Sequence, residues 1–198
     1  MSELQIEALQ VQQVTLDVTI DESEIVCLSG PSGSGKSLLL RAIADLIPHE
    51  GRVRLGDRWC DAMPAHEWRR RVTLLPAESQ WWQDRVGDHF PDVEPDWFEQ
   101  LGFSMQVLDW ELARCSTGEK QRLAILRLLC QYPQALLLDE PTASLDPDSV
   151  RRVENLLQHY VRSYRVPALW VSHDQVQQQR IARRRLVIRA GRVVEERL

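Results

Sequence analysis

The spacing of hydrophobic residues changes several times along the chain, and each change marks a predicted element. Val14-Thr15-Leu16-Asp17-Val18-Thr19-Ile20 alternates apolar with polar, and the stretch from Leu4 to Ile20 does so more loosely, which predicts half-buried antiparallel strands. Ile25-Val26-Cys27-Leu28, Ala135-Leu136-Leu137-Leu138 and Ala168-Leu169-Trp170-Val171 are apolar at every position, as strands covered on both faces should be. Leu38 to Ala44 reads as a helix closed by Pro48 and Gly51. Arg52 to Asp57 reads as a short strand and turn. The three arginines of Trp68-Arg69-Arg70-Arg71 read as a solvated helix end in preference to a basic patch, leading into the strand Val72-Thr73-Leu74-Leu75.

Farther along, Ser116 and Glu119 have capping-box spacing, starting an apolar helix that runs through Leu129 and stops at Tyr132-Pro133. Asp146-Pro147 starts another, with Asp as N-cap and Pro in the first helical position. Its apolar face is Val150, Val153, Leu157, Tyr160 and Tyr164. Leu186-Val187-Ile188, a turn at Ala190-Gly191 and Val193-Val194 form a closing hairpin. Apolar strands alternating with helices predict an α/β fold with a mostly parallel sheet covered on both faces.

Between Pro76 and Arg114 this periodicity weakens, and Trp81, Trp82, Trp97 and Trp110 are concentrated there. Residues 77–129 are therefore expected to form an inserted, partly helical subdomain. Residues 1–76 and 130–198 would form the core of one domain, a size for which 198 residues suffice. A net charge of -5 and a pI near 5.6 give no general attraction to nucleic acid or anionic lipid, so no nucleic-acid partner is expected. No apolar run approaches the ~18 residues of a membrane span, and Met1-Ser2-Glu3-Leu4 has no basic-then-apolar leader, so a cytoplasmic protein is expected. Cys27, Cys60, Cys115 and Cys130 lack metal-ligand spacing and suit a reducing compartment.

Chemistry enters at Gly30-Pro31-Ser32-Gly33-Ser34-Gly35-Lys36-Ser37, which fills every fixed position of the phosphate-binding loop G-x-x-x-x-G-K-[ST]. It lies between a predicted strand and a predicted helix, as that motif requires. Its glycines let successive N–H groups turn inward, and the helix N-terminus adds partial positive charge. Lys36 would reach the β- and γ-phosphates, and Ser37 would offer its hydroxyl to Mg²⁺. At the end of the Ala135–Leu138 strand, Asp139 is placed to hold the metal and Glu140 to act as general base toward water.

Four motifs in order, the phosphate loop, Cys115-Ser116-Thr117-Gly118-Glu119, Leu138-Asp139-Glu140 with Ser144-Leu145-Asp146, and Ser172-His173-Asp174, make the chain resemble an ATP-binding cassette (ABC) ATPase over essentially its whole length. The resemblance implies the ABC-type P-loop fold, with an N-terminal antiparallel β subdomain and a short helical one. It also implies ATP and Mg²⁺ as cofactors, and His173 as a contact to the γ-phosphate and the attacking water. Ser116, Thr117, Gly118 and Glu119 would form a signature that closes on ATP held by a second copy, giving a two-fold homodimer, with Asp146 communicating across it. A separate transmembrane permease would bind the cassette at the inner face of the membrane, and Trp81 and Trp82 either line that dock or pack inside the subdomain. The inserted region and Ala168–Asp174 are also similar to compact bacterial cassettes linked to metal or iron export.

The sequence departs from the family pattern at four places. Leu38 stands where a hydroxyl near the α-phosphate is usual, Thr117 replaces the first signature glycine, and Ala77 occupies the place of a metal-sensing glutamine. No aromatic residue lies in Leu4–Val14 to stack on adenine, which predicts weak base selectivity. Lys36, Ser37, Asp139, Glu140, Ser116 and His173 remain, so Mg²⁺-dependent ATP hydrolysis is expected, at a rate the altered positions could lower. The competing reading is a soluble ATP-gated clamp with little turnover. An unrelated phosphate-loop kinase leaves the signature unexplained.

Overall fold

The computed structural model describes residues 3–189 and 191–198. The alternating N-terminal stretch forms β1 (Leu4–Val11) and β2 (Val14–Ile20), paired antiparallel as expected. β3 (Ile25–Ser29) leads through the glycine-rich loop into α1 (Lys36–Ile43). β4 (Glu50–Leu55) and β5 (Arg58–Trp59) extend the antiparallel wing, and α2 (Ala65–Arg71) precedes β6 (Val72–Leu75). After α3 (Pro95–Gln100) and three single-turn or short 3₁₀ segments come α4 (Thr117–Leu129), β7 (Ala135–Asp139) and α5 (Pro147–Ser163). β8 (Ala168–Val171), α6 (Gln175–Ile181) and the hairpin β9 (Arg184–Arg189) and β10 (Arg192–Arg197) complete the chain. Of the expected Ala190-Gly191 turn, Ala190 lies outside the described residues, as do Met1 and Ser2.

The strands form one mixed sheet in the order β5-β4-β1-β2-β10-β9-β3-β8-β7-β6. Its half from β9 to β6 is parallel throughout, and the antiparallel wing joins it where β10 meets β2 at Arg192 and Thr15. The continuous apolar runs now have their reason. Strand side chains alternate between faces, so Cys27, Leu136, Leu138, Ala168 and Trp170 belong to one apolar cluster, while Val26, Leu28, Leu137, Leu169 and Val171 belong to another. The first cluster is filled from α4, α5 and the inserted region, by residues such as Phe98, Leu123 and Leu157. α1 and the β1–β2–β4 wing cover the second.

Parallel register decides where the loops emerge. Leu28 lies beside Val171, and Val171 beside Asp139, so β3, β8 and β7 end at one level. Three loops therefore leave the same edge of the sheet, those of Gly30–Ser37, Glu140 and His173, as open parallel sheets place ligand sites.

Local signals held at α4 and α5. Ser116 accepts from the Glu119 N–H and Glu119 reaches back to the Ser116 N–H, a complete capping box. The Asp146 carboxylate accepts from the N–H groups of Asp148 and Ser149, with Pro147 in the first turn. α1 ends at Ile43 with Ala44 as its C-cap, within one residue of the expected end, and what stops it is the left-handed backbone of Asp45 (φ 55°), which precedes Pro48. One expectation needs correction. Tyr164 is exposed rather than part of a buried face, since it follows the last helical residue and lies flat on the buried Tyr160 at 4.4 Å.

Leu138 is fully buried in the strand that ends in Asp139. Leu138→Ala should cost about 2–5 kcal/mol, read as a fall in the urea midpoint with an unchanged slope.

Candidate nucleotide site

Glycine geometry shapes the loop between β3 and α1. Gly35 occupies the N-cap position of α1 with φ 98°, a conformation open to glycine, and no side chain caps that helix. In contrast, α4, α5 and α6 are capped by Ser116, Asp146 and Asp174. The first N–H groups of α1 thus face the loop without a side-chain acceptor, the arrangement that receives an anion. A Cβ on Gly30 would meet Ser34 Oγ at 2.9 Å, so the backbone closes on itself there. Ser34 Oγ is buried with no hydrogen-bond partner, and Pro31, Ser32 and Gly33 are exposed at the rim.

Lys36 is the first residue of α1 and is buried. Its ammonium donates to the carbonyls of Gly30 (3.0 Å) and Pro31 (2.9 Å), bringing it back over the loop. Burial pushes its pKa down, and the charges of Glu140 and Asp139 push it back up. Those two carboxylates are therefore electrostatic neighbours of the lysine. Asp139 is buried at the end of β7, and Ser37 is half-buried beside Lys36. Leu38, by contrast, packs against the apolar cluster under the wing.

Glu140 follows with φ 50°, left-handed backbone that costs a non-glycine residue about 1–2 kcal/mol. The turn aims its side chain toward the neighbouring strand end, where His173 Nε2 lies 3.1 Å from Glu140 Oε1. Both side chains are partly open to solvent, at 50% and 34% exposure, which makes the pair a weak source of stability and leaves it free to meet a ligand.

On the other side of the loop is an open cavity of about 730 Å³ whose lining includes Gln12, Gln13, Val14, Ile188 and Arg189. None of the described residues lining it is aromatic.

The ABC transporter family model matches residues 14–143. The chain belongs to that family. It is 37% identical over 195 residues to the Fe(3+) ions import ATP-binding protein FbpC of Streptomyces avermitilis, covering 91% of this chain and 56% of that protein. With the probable iron export ATP-binding protein FetA of Escherichia coli it shares 30% identity over 172 residues, covering 80% of this chain and 76% of the relative. The cassette thus spans little more than half the length of the first relative. Among solved structures, it resembles the dimeric post-hydrolysis form of the ATP-binding cassette MJ0796 bound to ADP and Pi, with TM-score 0.84, 20% identity and 98% of each chain covered. That likeness concerns the fold.

The structure brings Lys36, Asp139, Glu140 and His173 of the cassette together, and the signature stands apart from these contacts. Thr117 is the exposed first residue of α4, and a Cβ on Gly118 would meet Ser144 O at 3.3 Å, so the signature abuts the Ser144–Asp146 turn. Ala77, Glu78 and Gln80 are exposed, and Gln80 uses its carbonyl to accept from Arg127. The two neighbouring tryptophans part company: Trp81 packs against the core cluster, whereas Trp82 is 68% exposed. Both touch the His89 ring by an edge contact and lie under the Arg127 guanidinium. Sequence reasoning missed Thr142 and Gln177 and gave Ser172 no role of its own; all three line a small cavity with Glu140 and His173. A run of glutamines at 177–179 gave no sign of burial, although a polar residue one helical turn after an N-cap aspartate was a place to look.

Hydrogen bonds from Ser116 hold the Glu119 carboxyl below its usual range. A lowered folded-state value means stability that is present above the ordinary carboxylate range and lost as pH falls through the folded value. Glu119→Gln keeps a capping-box residue but loses the charge, so it should lower stability at pH 7 only slightly, with the gap to wild type closing as pH falls below the ordinary carboxylate range, followed by urea unfolding across pH.

Proposed function

We propose that this chain binds ATP with Mg²⁺ in the Gly30–Ser37 loop and hydrolyses it as the nucleotide-binding subunit of a transporter. The observation that carries the reading is the contact of Glu140 with His173 at two strand ends, beside the lysine of the phosphate loop. Three features of the loop fit a polyphosphate: the first N–H groups of α1 have no side-chain acceptor, the Ser34 hydroxyl has no partner, and the Lys36 ammonium folds back over the loop. Ser37 and Asp139 supply hard oxygen donors with a single carboxylate, which suits an ion that keeps several waters and shares phosphate oxygens. Mg²⁺ would supply charge neutralisation on the phosphates.

In this reading Lys36 exchanges the carbonyls of Gly30 and Pro31 for phosphate oxygens. Glu140 takes a proton from the attacking water, and the Nε2–H of His173 orients the carboxylate that does so. The exposed start of α4, with Ser116, Gly118 and Glu119, closes on the nucleotide of a second copy, and Asp146 at the adjoining turn feels that closure. The dimeric state of MJ0796 supports this assembly. Thr117 adds a branched side chain on the closing face, so closure is expected to be looser than a glycine would allow.

A cassette of this kind acts on a membrane protein. Among the described residues no helix is long and apolar enough to cross a membrane, so the proposed permease is a separate chain or segment docked at the inner membrane face. Its relatives bear names for iron import and iron export, so neither direction nor cargo follows from them. The surface offered is Trp82, exposed beside Arg127 and His89, and not Trp81, which is used in packing.

Two experiments test the reading. With Mg²⁺, wild type should release phosphate from ATP, and Glu140→Gln should be slower by about 100-fold or more. GTP should compete within about tenfold of ATP, because the cavity beside the loop offers no ring to stack on a base. Equal, baseline release by wild type and Glu140→Gln would favour the clamp. Separately, Trp82→Ala should abolish co-purification with the membrane subunit while leaving phosphate release by the isolated cassette unchanged. Retained co-purification would remove Trp82 from the dock.

A further inference from the structure

We infer that Gln177 is a positioning residue that ties the Glu140 loop to the His173 loop, so that general base and histidine move as one unit. The inference rests on the hydrolytic reading above for its catalytic consequence, but its geometry is independent of it. Gln177, in α6, is 3% exposed and touches neither proposed catalytic side chain by a hydrogen bond. Instead it holds the residues beside them. Ser172, immediately before His173, donates its hydroxyl to Gln177 Oε1 at 2.7 Å. Gln177 Nε2 donates to the hydroxyl of Thr142, two residues after Glu140, at 3.0 Å.

The same amide nitrogen donates to Glu154 Oε1 of α5 at 2.9 Å. Glu154 is itself buried and is gripped by Arg180, whose Nε and Nη2 donate to its two oxygens at 2.8 and 2.7 Å. The carboxamide thus uses both N–H donors and its oxygen, and it is anchored to an ion pair between two helices. Ser172 is doubly fixed: its hydroxyl also accepts from the Asp174 N–H, and its carbonyl accepts from Gln178 Nε2 at 2.7 Å. Asp174 caps α6, so the helix, the His173 loop and the Glu140 loop share one set of hydrogen bonds. Without this tie, the 3.1 Å contact between two half-exposed side chains would depend on a weak surface pair alone.

Gln177→Leu keeps the volume and removes every one of the amide's bonds. Hydrogen exchange of the whole chain should show residues 140–145 and 171–175 opening together, about tenfold faster than wild type or more, with β3 and α1 unchanged. Steady-state kinetics should show kcat lowered about tenfold or more and KM for ATP within about twofold, since the phosphate loop is untouched. Thr142→Val, which severs one arm, should speed exchange at residues 140–145 and lower kcat in the same sense, and it serves if Gln177→Leu does not fold. Wild-type exchange in both segments in either folded variant would overturn the inference. A wild type that releases no phosphate would count against the hydrolytic reading, while the exchange result would still decide whether Gln177 couples the loops.

Discussion

Everything chemical in this molecule depends on the register of three neighbouring parallel strands. Leu28, Val171 and Asp139 lie at one level, so the segments that follow must leave the sheet side by side. Burial on both faces fixes that register, because a slip by one residue would exchange the two apolar clusters and move Trp170 from the cluster filled by α4 and α5 to the one that holds α1. The lysine and the two carboxylates are thereby electrostatic neighbours, and Glu140 reaches His173 in a half-exposed contact that adds little to stability. The core holds the edge in place, and the edge is free to carry polar, strained and half-exposed groups.

The strain is local. Glu140 takes left-handed backbone directly after the last residue of β7, and its side chain meets His173 as a result. Gly33 and Gly35 take left-handed backbone in the phosphate loop, where a larger residue would resist the turn. Departures from the family pattern fall outside this group. Leu38 points into the apolar cluster, Ala77 lies on an exposed loop, and Thr117 begins a helix whose cap is complete without it. None of the three takes part in the contacts that link Lys36, Asp139, Glu140 and His173.

Much of this was legible in the chain because it rests on local or periodic signals. The phosphate loop, the Ser116–Glu119 capping box, the Asp146-Pro147 helix start and the buried strand ending in Asp139-Glu140 all appear where residue type and spacing place them. What escaped were facts of packing between distant segments. Nothing in Trp81-Trp82 says which ring turns inward: both meet Arg127 and His89, and only Trp81 also packs against the core cluster. The Thr142–Gln177–Glu154 bonds join three elements, and a glutamine run reads as solvated until a buried carboxylate is found opposite it. The end of α1 was read to within one residue, but the signal taken for it was Pro48, whereas a left-handed Asp45 ends the helix before that proline is reached.

The most direct test of the account is a crystal structure of the chain grown with ATP and Mg²⁺. The account predicts a triphosphate wrapped by the Gly30–Ser37 backbone, its terminal phosphate between Lys36 and the Glu140–His173 pair, and a metal ion held by Ser37 and Asp139. An empty loop, or a nucleotide bound with its phosphates away from Lys36 and Asp139, would contradict it.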